Sequence, residues 1–426
     1  MSEHFRSKFK FSTAQKQWDT LDVYSEAELN KIRNSFTKEI TEAKAGNNSS
    51  LNYQKVKIDH QKKRIQKSTI QTFHLGGSHW ETALVKVKNQ KTEVTNFQSG
   101  KTNAGQSGNE IFQIIASKID EKADFLSFSL ALPIQQINSS NGALDGFLKK
   151  GKVHHYDFSD LENKLVGVEL AKFLKHTLGR TINVSVTNDN TSLAFAADNL
   201  SSQAEVITGV VATGVNFGFF ENKDTFINLE SGSFNKLEHD LSLADKPMSR
   251  LVASGYLYKE FNRIAFLQGN DIALKSNSEL EQLAFSKSDK PLNNDSKQIQ
   301  SLAKSLYKRS AQLVATQIAG IIDLKSRNSN TKKFKLVIEG DLFWKTLEYK
   351  QNVEKTLVEF GLNLENIEFV KVEFGFITGS AKSVFRVSKI EQKKVLILEK
   401  IYSYCGGFSW FSLAPPWSLS LNKTSN

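Results

Sequence analysis

Twice along this chain a strand pattern runs into a glycine turn and resumes as a second strand, and that duplication limits the fold more than any other feature. The first unit is TIQTFHLGG followed by ETALVKVKN, turning at Gly76 and Gly77. The second joins Val206–Val211 to Asn216–Glu221 through Ala212, Thr213 and Gly214. Runs rich in β-branched and aromatic residues, broken by glycine, read as hairpins. Each hairpin leads into further helical and extended patterns. After the first come a helix over 107–119, a strand over 125–132, a helix over 160–178 and a strand over 182–186. After the second come mostly helix over 248–275, a polar loop over 276–297, one long helix over 298–327, a strand over 334–338 and a helix over 353–360. No short solenoid period is present. The pattern predicts an α/β protein of two similar halves with a cleft between them, and 426 residues suffice for two cores.

Upstream of the first hairpin, residues 12–45 read as helical. Leu29, Ile32, Phe36 and Ile40 recur at helical spacing, and Ser25 followed by Glu28 forms a capping-box pattern. The single cysteine, Cys405, excludes an internal disulfide framework and any cysteine-based metal site. The N-terminus has no apolar core of a secretory signal. Residues 401–421 carry no charge but contain Gly406, Gly407, Pro415 and Pro416, so a packing or interfacial segment is expected there and no stable membrane span. A net charge of +11 raises the prior for anionic partners. Lys55, Lys57, Lys62, Lys63, Arg64 and Lys67 cluster without interleaved aromatics, which reads as a solvated basic face and gives no expectation of nucleic-acid binding.

The glycine turns suggest a chemistry. Without a Cβ, backbone N–H groups can approach phosphate oxygens, and Leu75-Gly76-Gly77-Ser78 and Ala212-Thr213-Gly214-Val215-Asn216 are the candidates. A single such turn is also what any hairpin needs; two, heading duplicated halves, carry more weight. Between them Asn188-Asp189 ends a strand ahead of the helical run Thr191-Ser-Leu-Ala-Phe-Ala-Ala. An aspartate there can accept a proton from a hydroxyl attacking a phosphate. It can equally cap the helix that follows.

The order of these motifs resembles that of the eukaryotic-type hexokinases, from about residue 25 to about residue 388. The family's LGGTNFRV is similar to Leu75-Gly-Gly-Ser-His-Trp-Glu-Thr, its FTFSFP to Phe128-Ser-Leu-Ala-Leu-Pro133, and its GTLxxWTK to Gly142-Ala-Leu-Asp-Gly-Phe-Leu-Lys149. Its catalytic VND resembles Thr187-Asn188-Asp189, and its GTGxN resembles Ala212-Thr-Gly-Val-Asn216. The most specific match is INTEWGAF with Ile227-Asn-Leu-Glu-Ser-Gly-Ser-Phe234. Downstream, SGYYLGEILR resembles Ser254–Arg263, RAAxL resembles Arg309–Leu313, VDGSVY resembles Ile338–Phe343, and SGKGAAL resembles the stretch from Thr378 to Lys382.

The resemblance implies a two-lobed, ribonuclease-H-like (actin-like ATPase) fold whose cleft closes on a sugar. It implies residues 1–68 as an N-terminal helical segment on the large lobe, 69–200 as the small lobe, 201–400 as the large lobe and 401–426 as a C-terminal extension. It implies a cytoplasmic ATP:hexose phosphotransferase using ATP and Mg²⁺, with glucose the foremost hexose and Asp189 the general base. Lys149, Asn188, Asp189, Asn216 and Glu230 are the implied sugar-binding residues. Gly76, Gly77, Ser78, Thr213, Gly214, Gly340, Gly379 and Ser380 are the implied nucleotide and phosphate contacts.

The departures lie at chemical positions. The family's metal-side aspartate ahead of LGG is His74, a poor donor for a hard cation. Its NFRV arginine is Glu81. The sugar-strand serine is Ala131, the threonine before the sugar lysine is Leu148, and the first glycine of GTG is Ala212. The FEKM glutamate falls at Arg250, with Glu238 or Asp240 as nearby substitutes. No metal ligand is assigned; Glu81 and Glu339 are the carboxylates that could serve in place of His74. His154 and His155 are adjacent on an extended segment and point to opposite faces, which argues against chelation. Two functions follow from the same fold: a divergent hexose kinase, and a hexokinase-like sugar sensor or binding protein with weak or no turnover.

Overall fold

The computed structural model describes residues 23–58, 68–88, 91–138, 143–153, 156–197, 205–237, 247–286, 294–328 and 333–385. Two sheets with one connectivity form the two lobes. In the small lobe the first strand, Ser68–Leu75, pairs antiparallel with His79–Lys88, which pairs antiparallel with Lys91–Lys101. On its other side the first strand takes Phe125–Leu130 in parallel, and that strand takes Asn183–Asn188 in parallel. In the large lobe Glu205–Val211, Val215–Asn222 and Thr225–Asn228 form the antiparallel series, and Phe334–Glu339 and Ile367–Val370 add in parallel. Spatial order 3-2-1-4-5 thus occurs twice, which is the duplication expected from the two hairpins. Gln54–Lys57 adds to the edge of the large-lobe sheet against Thr225–Asn228, a strand the sequence pattern did not reveal.

The parallel strands show why the apolar runs were continuous: Phe125–Leu130 and Asn183–Asn188 are buried along nearly their whole length. In the large lobe, Ile32, Phe36 and Ile40 of the helix Glu26–Ala45 join one core with Ile318 and Ile322 of the long helix Asn294–Asn328. Ser25 and Glu28 make the reciprocal capping box. Arg33 pairs with Asp323 in bidentate fashion through Nε and Nη2 of one guanidinium edge, with Nε at 2.6 Å from Oδ2. Gly320 has no side chain where Phe36 and Thr37 press closest, so the two helices can approach. The small-lobe core gathers the helices Gly108–Lys118 and Val166–Leu178 against its sheet.

Two stretches differ in kind from the expectation, and residues 12–22 of the expected first helix lie outside the described residues. Residues 160–178 hold a single 3₁₀ turn at Ser159–Leu161 and a short strand at Lys164–Leu165 before the helix starts at Val166. The stretch 276–297 is not all loop: Asn277–Phe285 is a helix, started by Ser276 accepting from the N–H of Glu279 and anchored by buried Leu280 and Ala284. Leu283 and Phe285 pack beside them, but the flanking sequence is polar enough to read as loop. The basic residues 62–67, the His154–His155 pair and the segment 401–426 lie outside the described residues. Among the described residues no helix is long and apolar enough to cross a membrane.

The lobes exchange their closing helices. Asp189–Ala197 follows the small lobe's last strand, yet Leu193 and Phe195 pack with Val206, Phe226 and Val337 of the large-lobe sheet. Gly375–Ser383 follows the large lobe's last strand, yet Ile377 and Ala381 pack with Ile70, Ala83 and Val85 of the small-lobe sheet. The two helices cross at Gly379, where a Cβ would lie 1.8 Å from the carbonyl oxygen of Ser192. Backbone cannot yield as a side-chain tip can. Gly379→Ala is therefore expected to lower stability by about 3 kcal/mol or more, measurable as a fall in Tm; an unchanged Tm would show that the helices are free to separate.

Candidate active site

A cleft of about 1040 Å³ lies between the lobes. The two glycine turns meet across it. A Cβ on Gly77 would lie 2.8 Å from Thr213 Cβ, and the hydroxyls of Ser78 and Thr213 are 3.5 Å apart. A side chain at position 77 would push the lobes apart. The N–H of Gly76 donates to His79 O, and that of Ala212 donates to Gly214 O. Among the described residues no acceptor takes the N–H groups of Gly77, Ser78, Thr213 or Gly214. Four backbone donors thus stand at the point where the lobes approach, which suits an anion. The Tyr156 hydroxyl braces the first turn, donating to Gly76 O at 2.5 Å and lying 3.2 Å from Thr102 Oγ1. Gly340 supports the second turn from behind. Its φ of +121° and its approach to Val211 O, 2.2 Å from where a Cβ would sit, leave no room for another residue.

Asp189 stands at the end of strand Asn183–Asn188, where the chain turns into the first closing helix, and faces the cleft. It accepts from the N–H of Asn190 at 2.7 Å. Burial, reinforced by the charge of Glu230, pushes its carboxyl up to about 7; burial does the same to Glu230, also to about 7. Each carboxylate therefore disfavours ionisation of the other. Glu230 sits at φ +49°, ψ +47°, an uncommon backbone state for a residue with a Cβ. Asn188 Nδ2 and Asn228 Nδ2 donate to its Oε1 at 3.2 and 2.8 Å. Asn216 joins the same network through Asn228 at 2.9 Å and accepts from the N–H of Ser231. Asn188, Asp189, Asn216 and Glu230 all line the cleft, together with Ala131.

The other end of the cleft is aromatic and acidic. His74 is 2% exposed, its Nδ1 lies 3.2 Å from Ser129 Oγ, and its ring stacks on Phe376 with centroids 4.2 Å apart. Burial outweighs the nearby charge of Glu81 and drives its pKa down to about 3, so the imidazole is neutral. Burial works to raise Glu81, but His79, whose Nε2 lies 3.6 Å from Oε1, and the nearby His74 bring it below the usual carboxylate range. Burial lifts Glu339 to about 7; Lys371 opposes this and Glu81 adds to it. Glu81, Glu339, Lys101 and Lys371 are cleft residues. Among the described residues no group of three or more His, Cys, Asp or Glu side chains is arranged to hold a metal.

Not every residue implied by the motifs reaches this cleft. Lys149 is exposed and lies outside the cleft lining, as does Arg250. Leu148 is fully buried in the small-lobe core. Gly379 and Ser380 belong to the helix crossing: Gly379 meets Ser192, and the Ser380 carbonyl accepts from Ser127 Oγ at 2.7 Å. Both are buried and outside the cleft lining, so helix packing accounts for them. Glu238 and Asp240 lie outside the described residues. Sequence reasoning gave no site role to Asn228, Asn190 or Tyr156, although Asn228 lies within the segment 227–234. An asparagine inside the apolar strand TFIN is a visible oddity that could have flagged Asn228; nothing local marks Tyr156.

Residues 264–385 match the family model described as Hexokinase. A comparison with curated proteins finds no match. Among solved structures, the chain is similar to the hexokinase from Schistosoma mansoni complexed with glucose, at 16% identity and a TM-score of 0.68, covering 85% of this chain and 95% of that one. It is similar to a second hexokinase at 15% identity and a TM-score of 0.62, covering 86% and 97%. The duplicated sheets and the crossed helices thus give this chain a hexokinase-like fold, and residues 264–385 carry a segment that matches the Hexokinase family model.

Proposed function

We propose that the protein transfers the γ-phosphoryl group of ATP to a hexose hydroxyl. The observation that carries this reading is the placement of Asp189: a buried carboxylate at a strand end, in a cleft where two turns with uncommitted N–H groups face each other. In the step proposed, Asp189 takes the proton of the hydroxyl as its oxygen forms the new bond to phosphorus and the bond to the ADP oxygen breaks. Glu230 and Asn216 would orient the sugar, and the turns at 76–78 and 212–214 would hold phosphate oxygens. A proton-accepting group near pH 7 is well matched to this task.

Mg²⁺ usually keeps several waters and takes one or two carboxylates plus substrate phosphates. The donors present fit that habit: Glu81 and Glu339 offer oxygens on the cleft wall, whereas His74 is committed to Ser129 and Phe376. Glu81 and Glu339 would hold the ion, which when bound withdraws charge from the transferring group.

A second reading is a sugar-binding protein with little or no turnover. It is favoured by the neutral, stacked His74 and by the position of Lys149 outside the cleft. A coupled assay for ADP release from Mg-ATP, with glucose, fructose, mannose and glucosamine in turn, separates the two. Hexose-dependent turnover is expected. Asp189→Asn should lower kcat by about 10²–10⁴-fold while sugar binding by calorimetry persists. Sugar binding without turnover in the parent protein would establish the second reading.

For the active enzyme, kcat/KM is expected to rise with pH through about 7, as the buried carboxyls of Asp189 and Glu230 lose their protons. A flat profile between pH 6 and 8 would remove Asp189 from the role of base.

The same pair predicts a stability effect. Between about pH 4 and 7 the folded protein retains a proton on Asp189 that the unfolded chain has lost, so stability falls as pH rises through that window. Asp189→Asn keeps the acceptor for Asn190 and removes the buried charge. It should be more stable than the parent at pH 8, on the order of 2 kcal/mol, with the difference fading by pH 4. Thermal melts across that range provide the check; a variant less stable at pH 8 would contradict it.

A further inference from the structure

We propose that Asn228 is a positioning residue that fixes which atoms of the cleft are presented to the sugar; this rests on the reading of the cleft as a hexose site. Asn228 ends the strand Thr225–Asn228, two residues before Glu230, and is fully buried. Its orientation is set by a chain of donors that starts at the backbone. The N–H of Ser231 can only donate, and it donates to Asn216 Oδ1 at 3.2 Å. That turns Asn216 Nδ2 toward Asn228, whose Oδ1 accepts it at 2.9 Å. Asn190 Nδ2 donates to the same oxygen at 3.2 Å, with its own Oδ1 held by Thr208 Oγ1 at 2.7 Å. With two donors on its oxygen, Asn228 must aim its Nδ2 the other way, at Glu230 Oε1, 2.8 Å distant. A flipped amide would set oxygen against carboxylate and N–H against N–H.

The consequence lies in what remains free. Glu230 Oε1 is saturated by Asn228 and Asn188, and among the described residues no protein donor reaches Oε2. Asn188 has both its amide hydrogens engaged, by Leu132 O and by Glu230 Oε1, so it offers the sugar no N–H. Asn216 has engaged one of its two. With Glu230 ionised, the protein thus presents an acceptor at its Oε2 and a donor at Asn216, and the matching ligand carries a hydroxyl that donates to the carboxylate. Asn188 is a strut of the site in this arrangement.

The test uses Asn228→Asp, which is isosteric and keeps both acceptor contacts but loses the donor to Glu230. It is run alone, with Glu230→Gln alone, and with both together, in the full-length protein. At pH 8 the single change N228D sets two carboxylates against each other, so its Tm should fall. Adding E230Q supplies an amide N–H in the reverse sense and should recover most of that loss. Glucose binding by calorimetry should weaken at least tenfold in N228D at pH 8, and the defect should shrink toward pH 5.5, where the introduced acid can itself donate to Glu230. A purely structural role would not show that pH dependence. Additive stability changes in the two single variants, or a glucose Kd in N228D equal to the parent's at pH 8, would overturn the proposal while leaving the hexose reading intact. Coupled stabilities in a parent protein that binds no hexose would overturn the hexose reading and the positioning role with it.

Discussion

The position of every group in the cleft depends on the backbone contact between the two closing helices. Gly379 lets Gly375–Ser383 lie against the carbonyl of Ser192, and each helix is packed on the sheet of the opposite lobe. The crossing ties the end of strand Asn183–Asn188, and so Asp189, to the large lobe. It also ties Phe376 to the small lobe, where it stacks on His74. A contact between two main chains has little compliance, so the lobes have a common pivot that side-chain rearrangement cannot easily shift. The glycine turns then meet at Gly77 and Thr213 because both hairpins project from sheets of the same connectivity across that pivot.

Against this rigid frame the site holds two carboxylates that solvent would rather have. Asp189 and Glu230 are both buried, and each raises the proton affinity of the region it shares with the other. Neutral asparagine amides support them: Asn188, Asn190, Asn216 and Asn228 supply donors without a compensating positive charge. A lysine or arginine in that network would have held the carboxylates fully ionised and lowered their basicity. Amides leave the pair near neutrality, which suits proton transfer at the cost of stability. The left-handed backbone at Glu230 fits the same account, since strain of that kind persists where surrounding hydrogen bonds over-determine it.

The parts of this molecule that were readable beforehand are those written in short-range chemistry. The hairpin turns, the capping box at Ser25 and Glu28 and the strand ending at Asp189 each follow from neighbouring residues, and their order sufficed to give the duplicated α/β fold. What was not readable depends on tertiary approach. Gly379 and Ser380 looked like phosphate contacts because glycine and serine serve both purposes; only the proximity of Ser192 shows that helix packing requires them. Lys149 follows a motif in sequence yet projects from the surface, since Leu148 before it is drawn into the core. Asn228 was overlooked because its partners, Asn190 and Asn216, come from other elements, and their meeting is a product of the lobe arrangement.

The aromatic and acidic end of the cleft shows how neighbouring side chains there depend on one another. With His74 in place of a carboxylate, the buried ring needs apolar cover, and Phe376 provides it by stacking. Phe374, at φ +52°, turns the chain so that its own ring meets Phe97 of the small lobe, 5.0 Å away. These contacts join the lobes with apolar surface at this end of the cleft. Glu81 restores an oxygen on the adjacent strand, directly opposite His74 in register, while Lys101 and Lys371 bring positive charge from other segments. The charges have thus been redistributed around an aromatic plug rather than removed.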